Sequence, residues 1–215
     1  MSFYLGLSIL SNVNRHKRTY RQKLLSVEAK HMVSQLSGRP LAEHEIAREE
    51  QGRPFFPDYK ADFSISHSWD LAAVSLVTGG NLRTGCDVEL VRPRKSAKEI
   101  SEKYFSANER DYIFSPRRFE LAKFYEIWTL KECFLKLRGL SVFDMATVPS
   151  FISRGDFALD ADVFPQLSFY RYELAGAGEK RYILASVVEG TGGVQPEVRW
   201  FSRNSLSCKI IATPI

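Results

Sequence analysis

The sequence predicts an α+β protein built from two similar units, on three observations. Apolar residues alternate in some short segments and recur at helical spacing in others. Glycine and proline punctuate the borders between these segments. The order strand, helix, hairpin occurs once in residues 1–83 and again in residues 84–215.

In the first unit, Phe3 to Leu10 reads as a strand. A basic run follows, with Arg15, His16, Lys17 and Arg18 leading to Arg21 and Lys23. Leu24, Leu25, Ala29, Met32, Val33 and Leu36 then recur as one face of a helix, and Gly38 with Pro40 stops it. Residues 43–50 are polar, and the turn at Gln51 to Pro54 presents Arg53. Phe63 to Ser68 alternates and passes through Trp69-Asp70 into Leu71 to Val77, which predicts a hairpin. Gly79-Gly80-Asn81 turns the chain into the second unit.

That unit begins with a strand over Thr84 to Val91, then a basic loop, Arg92-Pro93-Arg94-Lys95. Helical segments are expected from Ala97 to Phe114, with Ser106 as an N-cap. A long helix should run from about Phe119 to Leu137 and end at Gly139. Leu167 to Glu173 and Arg181 to Val188, joined through Gly176-Ala177-Gly178, read as a second hairpin. The tail from Gly190 to Ile215 contains Trp200 and Phe201 but no recognisable chemistry.

Composition narrows the class. With 44% hydrophobic and 26% charged residues the chain is neither a disordered tail nor a fibre. No run of about 18 apolar residues and no secretory leader pattern appears, so the expectation is a cytoplasmic protein without a membrane role. Cys86, Cys133 and Cys208 lack metal-ligand spacing and are expected to be packing residues. The formal net charge of +5 would draw an anionic ligand or an acidic partner. No zinc finger or RNA-binding signature points to nucleic acid.

Two stretches carry chemistry. Asp87 and Glu89 stand at i and i+2 of a strand and therefore face the same way, roughly 6–7 Å apart. Such a pair suits Mg²⁺, which takes one or two protein carboxylates and completes its shell with water and phosphate oxygens. A solvated strand edge would show the same spacing. On the long helix, Trp128, Glu132 and Lys136 share a side at intervals of four. The alternative is an exposed Glu–Lys pair. Phe124, Ile127, Leu130, Phe134 and Leu137 make this helix nearly apolar, so its charges belong at a buried edge where a metal and a phosphate would account for them.

Four segments together resemble the 4′-phosphopantetheinyl transferases of the two-unit Sfp type, and most of all the bacterial AcpT subgroup. They are Gly52-Arg53-Pro54, Phe63 to Ser68, Gly85 to Glu89 and Trp128 to Lys136, in the family's order and approximate spacing. The resemblance implies transfer of phosphopantetheine from coenzyme A to a serine of an acyl or peptidyl carrier protein, with release of adenosine 3′,5′-bisphosphate. It also implies a pseudo-twofold pair of α+β units with the active site in the cleft between them. Asp87, Glu89 and Glu132 would hold Mg²⁺, and Lys136 would neutralise the leaving phosphate. Arg53 replaces the family's usual lysine and, with Ser66 and His67, would bind the nucleotide's phosphates. Arg21 and Lys23 are alternative ligands for the 3′-phosphate. Glu132 is the expected general base and His67 its competitor, whereas His16, His31 and His44 are ordinary polar residues.

The protein is expected to be a monomer. The basic clusters at Arg92 to Lys95 and at Arg117-Arg118 would steer an acidic carrier protein. Two other classes stay open from the residues alone: a Mg²⁺-dependent nucleotide phosphohydrolase, and a non-catalytic basic module that binds nucleic acid.

Overall fold

In each half of the chain the first strand pairs with the second strand of its own hairpin, which gives the two halves one topology. The fold is seen in a computed structural model that describes residues 1–11, 13, 16–39, 46–114, 118–153, 156–157, 166–175, 180–190, 195–203 and 211–214. Arg15, Pro40, His44, Arg117, the turn at 176–178 and Cys208 lie outside the described residues.

Strand β1 (Ser2–Ile9) leads to helix α1 (Arg18–Ser37), which stops where Gly38 adopts a left-handed φ of 70°. Short strands β2 (Ala47–Arg48) and β3 (Pro54–Phe55) pair with each other. The hairpin follows as β4 (Ala61–Ser68) and β5 (Leu71–Thr78), and β1 lies antiparallel to β5. The second unit starts at β6 (Thr84–Leu90). Its helical segments are α2 (Ala97–Tyr104), α3 (Ala107–Ile113) and α4 (Leu121–Arg138). Ser106 and Glu109 close a reciprocal capping box at the start of α3, and Gly139, at φ 67°, ends α4. After a 3₁₀ turn over Val142–Thr147 come the two-residue strands β7 (Ile152–Ser153) and β8 (Asp156–Phe157). The second hairpin is β9 (Leu167–Ala175) and β10 (Arg181–Glu189), and β6 lies antiparallel to β10.

Strand orders β1-β5-β4 and β6-β10-β9 are thus equivalent, as the repeated element order leads one to expect. The tail breaks the symmetry by adding a strand to each sheet. Here β11 (Glu197–Arg203) lies parallel to β1, and β12 (Ile211–Pro214) lies antiparallel to β9. Chain beyond residue 83 therefore completes the first sheet.

Alternation along the strands distributes three cores. Odd residues of β1, such as Leu5 and Leu7, meet Val88, Leu90, Tyr182 and Leu184 between the two sheets. The opposite face of the first sheet packs on α1 through Leu25, Ala29, Met32 and Val33. The outer face of the second sheet, including Ile183, Ala185 and Val187, packs on α4 through Ile127, Leu130 and Cys133. The order of layers is helix, sheet, sheet, helix. Buried Asp70, at the tip of the first hairpin, ties the units together by accepting hydrogen bonds from Lys180 and from Tyr182 of β10. Among the described residues no helix is long and apolar enough to cross a membrane.

Candidate active site

Strands β4 and β6 are the facing edges of the two sheets, and each has its other edge occupied, by β5 and β10. The seam between them is closed by side chains at a constant offset. Asp62 Oδ2 accepts from the Thr84 amide at 2.7 Å, Ser66 Oγ from Val88 at 3.3 Å and Ser68 Oγ from Leu90 at 3.1 Å. Between them the Cys86 thiol donates to the Ser64 carbonyl at 3.3 Å. Both serine hydroxyls also donate to an acid of β6. Ser66 bonds Asp87 Oδ1 and Ser68 bonds Glu89 Oε2, each at 2.7 Å. An edge that satisfies its amides with serine oxygens thereby orients both carboxylates.

Helix α4 lies directly on β6. A Cβ at Gly85 would collide with the Cys133 carbonyl oxygen of α4, so glycine permits the approach. Glu132 and Lys136 flank that contact on the same helix. The Lys136 ammonium donates to Asp87 Oδ1 at 2.7 Å, so its partner is a strand carboxylate and not merely the Glu132 one turn away. Burial opposes the ammonium's charge, but Asp87, Cys86 and Glu132 outweigh it and raise the Lys136 pKa. Glu132 is pushed up to about 7, first by burial and then by the negative charge of Asp87, with Lys136 opposing. Burial and Asp87 also raise Glu89, against the hydrogen bond from Ser68.

His67 follows Ser66 on β4 and feels the charges of both Lys136 and Asp87, while burial lowers its pKa and favours the neutral imidazole. Beyond Glu89 opens a cavity of about 390 Å³ lined by Arg18, Glu89, Arg92, Pro93, Arg94 and Tyr125. The Arg94 guanidinium lies over the Trp128 ring, 4.6 Å from its centroid. Arg21 and Arg92 both stack on Trp69, at 4.5 and 5.5 Å, so cations from both units meet on one aromatic ring. Trp69 holds a φ of 59°, rare for a large side chain, at the two-residue turn of the hairpin.

Of the residues predicted for the site, Asp87, Glu89, Glu132, Lys136, Ser66 and His67 come together, and Arg21 stands beside the cavity. Lys23 is exposed, two residues and more than half a helical turn from Arg21. Arg53 also departs from the expected phosphate contact. It is buried, and four of its donor bonds go to Asp62, Thr84 and Lys136 inside the protein. Of the docking clusters, Arg92 and Arg94 stack on aromatic rings beside the cavity, and Arg118 is exposed. Sequence reasoning missed Ser68, Asp62 and Trp69, whereas Arg18 belongs to the basic run it noted ahead of α1. The i,i+2 spacing of Ser66 and Ser68 matches that of Asp87 and Glu89 and was the available signal for the first.

A hard cation fits the donors present. Asp87 Oδ2 is buried and has no hydrogen-bond partner among the described residues. A bare carboxylate oxygen beside two further acids is unfavourable unless a cation meets it. Among the described residues no three His, Cys, Asp or Glu side chains converge as a closed ligand set. Asp87, Glu89 and Glu132, the three acids that the resemblance implies, thus lie near one another without being gathered as one ligand set.

An acid cluster beside an arginine-lined cavity, at the seam of two like α+β units, has the donors to hold a cation and a phosphate ester together. Comparison with known proteins identifies the family. The family model of the 4′-phosphopantetheinyl transferase superfamily matches residues 83–185, which include both β6 and α4. The 4′-phosphopantetheinyl transferase AcpT of Salmonella typhi is 34% identical over 140 residues, covering 60% of this chain and 72% of that protein. Its namesake in Escherichia coli K12 is 36% identical over 125 residues, or 54% and 62% of the two chains. The Bacillus subtilis 4′-phosphopantetheinyl transferase ffp is 31% identical over 129 residues, or 58% and 54%. The match to the Escherichia coli relative thus spans less than two thirds of that protein's length. The chain belongs to the 4′-phosphopantetheinyl transferase superfamily.

Proposed function

We propose that this protein transfers the 4′-phosphopantetheine group of coenzyme A to a serine of an acyl or peptidyl carrier protein and releases adenosine 3′,5′-bisphosphate, with Mg²⁺ required. The observation that carries this reading is the position of Glu89. It belongs to the acid cluster with Asp87 and also lines the arginine-bearing cavity, so a pyrophosphate bound there would reach the acids.

Asp87, Glu89 and Glu132 would hold the metal, whose contribution when bound is to neutralise charge on the pyrophosphate. Arg18, Arg21, Arg92 and Arg94 offer guanidinium forks to the nucleotide's phosphates. Neutral His67 and Ser66 lie next to the same acids. The serine oxygen of the carrier attacks the phosphorus that bears pantetheine, and the bond from that phosphorus to the bridging oxygen breaks. Glu132 takes the serine proton. Lys136 stays charged and stabilises the departing bisphosphate as negative charge gathers on it.

Both units of one chain supply the site, so a monomer suffices. The buried free thiols of Cys86 and Cys133 suit a reducing cytoplasm, where coenzyme A is available. The test is the intact mass of an apo carrier protein incubated with coenzyme A, Mg²⁺ and this protein. Gain of one phosphopantetheine is expected. An unchanged carrier with coenzyme A cleaved would support a phosphohydrolase and overturn the transferase reading.

A further inference from the structure

We infer that Arg53, held by Asp62, is a positioning residue that sets the last turn of α4 against β6 and so aims Lys136 at Asp87. The guanidinium donates from Nε to the Lys136 carbonyl at 2.7 Å and from Nη1 to Asp62 Oδ1 at 2.9 Å. Nη2 donates to Asp62 Oδ2 and to the Thr84 carbonyl, the latter at 3.0 Å. The Arg53 side chain is 6% exposed. Four of its five N–H bonds are therefore committed within the protein.

The three partners belong to the three elements that form the site. Asp62 lies on β4, Thr84 begins β6, and the Lys136 carbonyl sits in the final turn of α4, where it also accepts from the Gly139 amide at 3.3 Å. Asp62 completes the clamp by accepting from the Thr84 amide, so the pair binds both backbone groups of that residue. Lys136 is then fixed at two points. Its carbonyl is anchored to the first residue of β6 through Arg53, and its ammonium meets Asp87 three residues along the same strand. A cation near a helix C-terminus is also favoured by the helix dipole. Lysine cannot reproduce the arrangement, because one ammonium lacks the planar fork that reaches a carboxylate and two carbonyls at once.

The inference concerns how the proposed transferase site is held, and its test reads the geometry independently of turnover. Arg53→Lys keeps the charge that a phosphate ligand needs and removes the fork. In that variant, acylation of Lys136 by an amine-directed reagent, followed by peptide mass spectrometry, is expected to accelerate because the ammonium leaves Asp87. Binding of adenosine 3′,5′-bisphosphate, followed by calorimetry, should stay within about twofold of wild type. If the transferase assay succeeds, kcat should fall by roughly ten- to a hundredfold, the scale of a misplaced reacting group. Wild-type protein supplies a measurement that needs no variant to fold: the Arg53 Nε–H resonance should be protected and should not move when the bisphosphate is added. A bisphosphate-induced shift of that resonance would overturn the inference. So would weakened bisphosphate binding in Arg53→Lys with Lys136 labelling unchanged.

Discussion

The hydroxyl of Ser66 stands 2.7 Å from one carboxylate oxygen of Asp87, which also receives the Lys136 ammonium, while the other oxygen of that carboxylate is buried and bare. One side of Asp87 is held by the protein and the other is left for a ligand. Asp87→Asn keeps an acceptor for Ser66 and Lys136 and removes the charge. The variant should fold, lose Mg²⁺ binding by calorimetry, and lose carrier modification by about a hundredfold or more. Near-normal turnover with an unchanged melt would show that β6 is not the metal strand.

Glu132 gives a pH dependence with a definite sign. Its folded pKa, about 7, lies above the ordinary value of 4.5, so its contribution to stability is fully present below pH 4.5 and is lost as pH rises through 7. In chelator, the melting temperature of Glu132→Gln should therefore gain on wild type between pH 5 and pH 8. Mg²⁺ should narrow the gap by stabilising wild type selectively. A gap that does not change with pH would place Glu132 in ordinary solvent.

Ser68 is expected to matter through Glu89. Ser68→Ala removes the donor to that carboxylate and the acceptor of the Leu90 amide, at a stability cost of about 1 kcal/mol. Because the hydroxyl orients a carboxylate proposed to hold Mg²⁺, affinity for that ion should fall roughly tenfold or more. Titration calorimetry alongside thermal melts separates the two effects, and a melt change with unaltered Mg²⁺ affinity would reduce Ser68 to a seam residue.

Gly85 tests the close approach of helix and strand. A methyl group there meets the Cys133 carbonyl oxygen, so Gly85→Ala should destabilise the protein by roughly 3 kcal/mol. Denaturant unfolding measures this, and a change within experimental error would mean that α4 does not lie against β6 as described.

Arg21 and Lys23 should separate in binding. Arg21 stacks on Trp69 beside the cavity and Lys23 is exposed, so Arg21→Ala should raise the KM for coenzyme A about tenfold and Lys23→Ala should leave it nearly unchanged. Equal effects from the two substitutions would point to a general field of positive charge in place of a local contact.

The chain's local geometry was readable from its letters. Asp87 and Glu89 share a face because strands alternate, and Trp128, Glu132 and Lys136 share one because helices repeat near four. Gly38 and Gly139 end helices because a left-handed residue costs glycine little. Ser106 caps α3 through a bond three residues long. All of these depend on backbone conformation within a few residues of the signal. Tertiary structure alone decided the rest. Arg53 looked like a free cation at a turn and instead bonds the carbonyl of Lys136, 83 positions away. Asp62, Ser66 and Ser68 acquire their amide partners 22 positions along the chain, and the tail contributes a strand to both sheets. No periodicity marks such contacts, because the pairing of two sheet edges is set by how whole layers pack. A donor's partner is therefore fixed only once those layers have met.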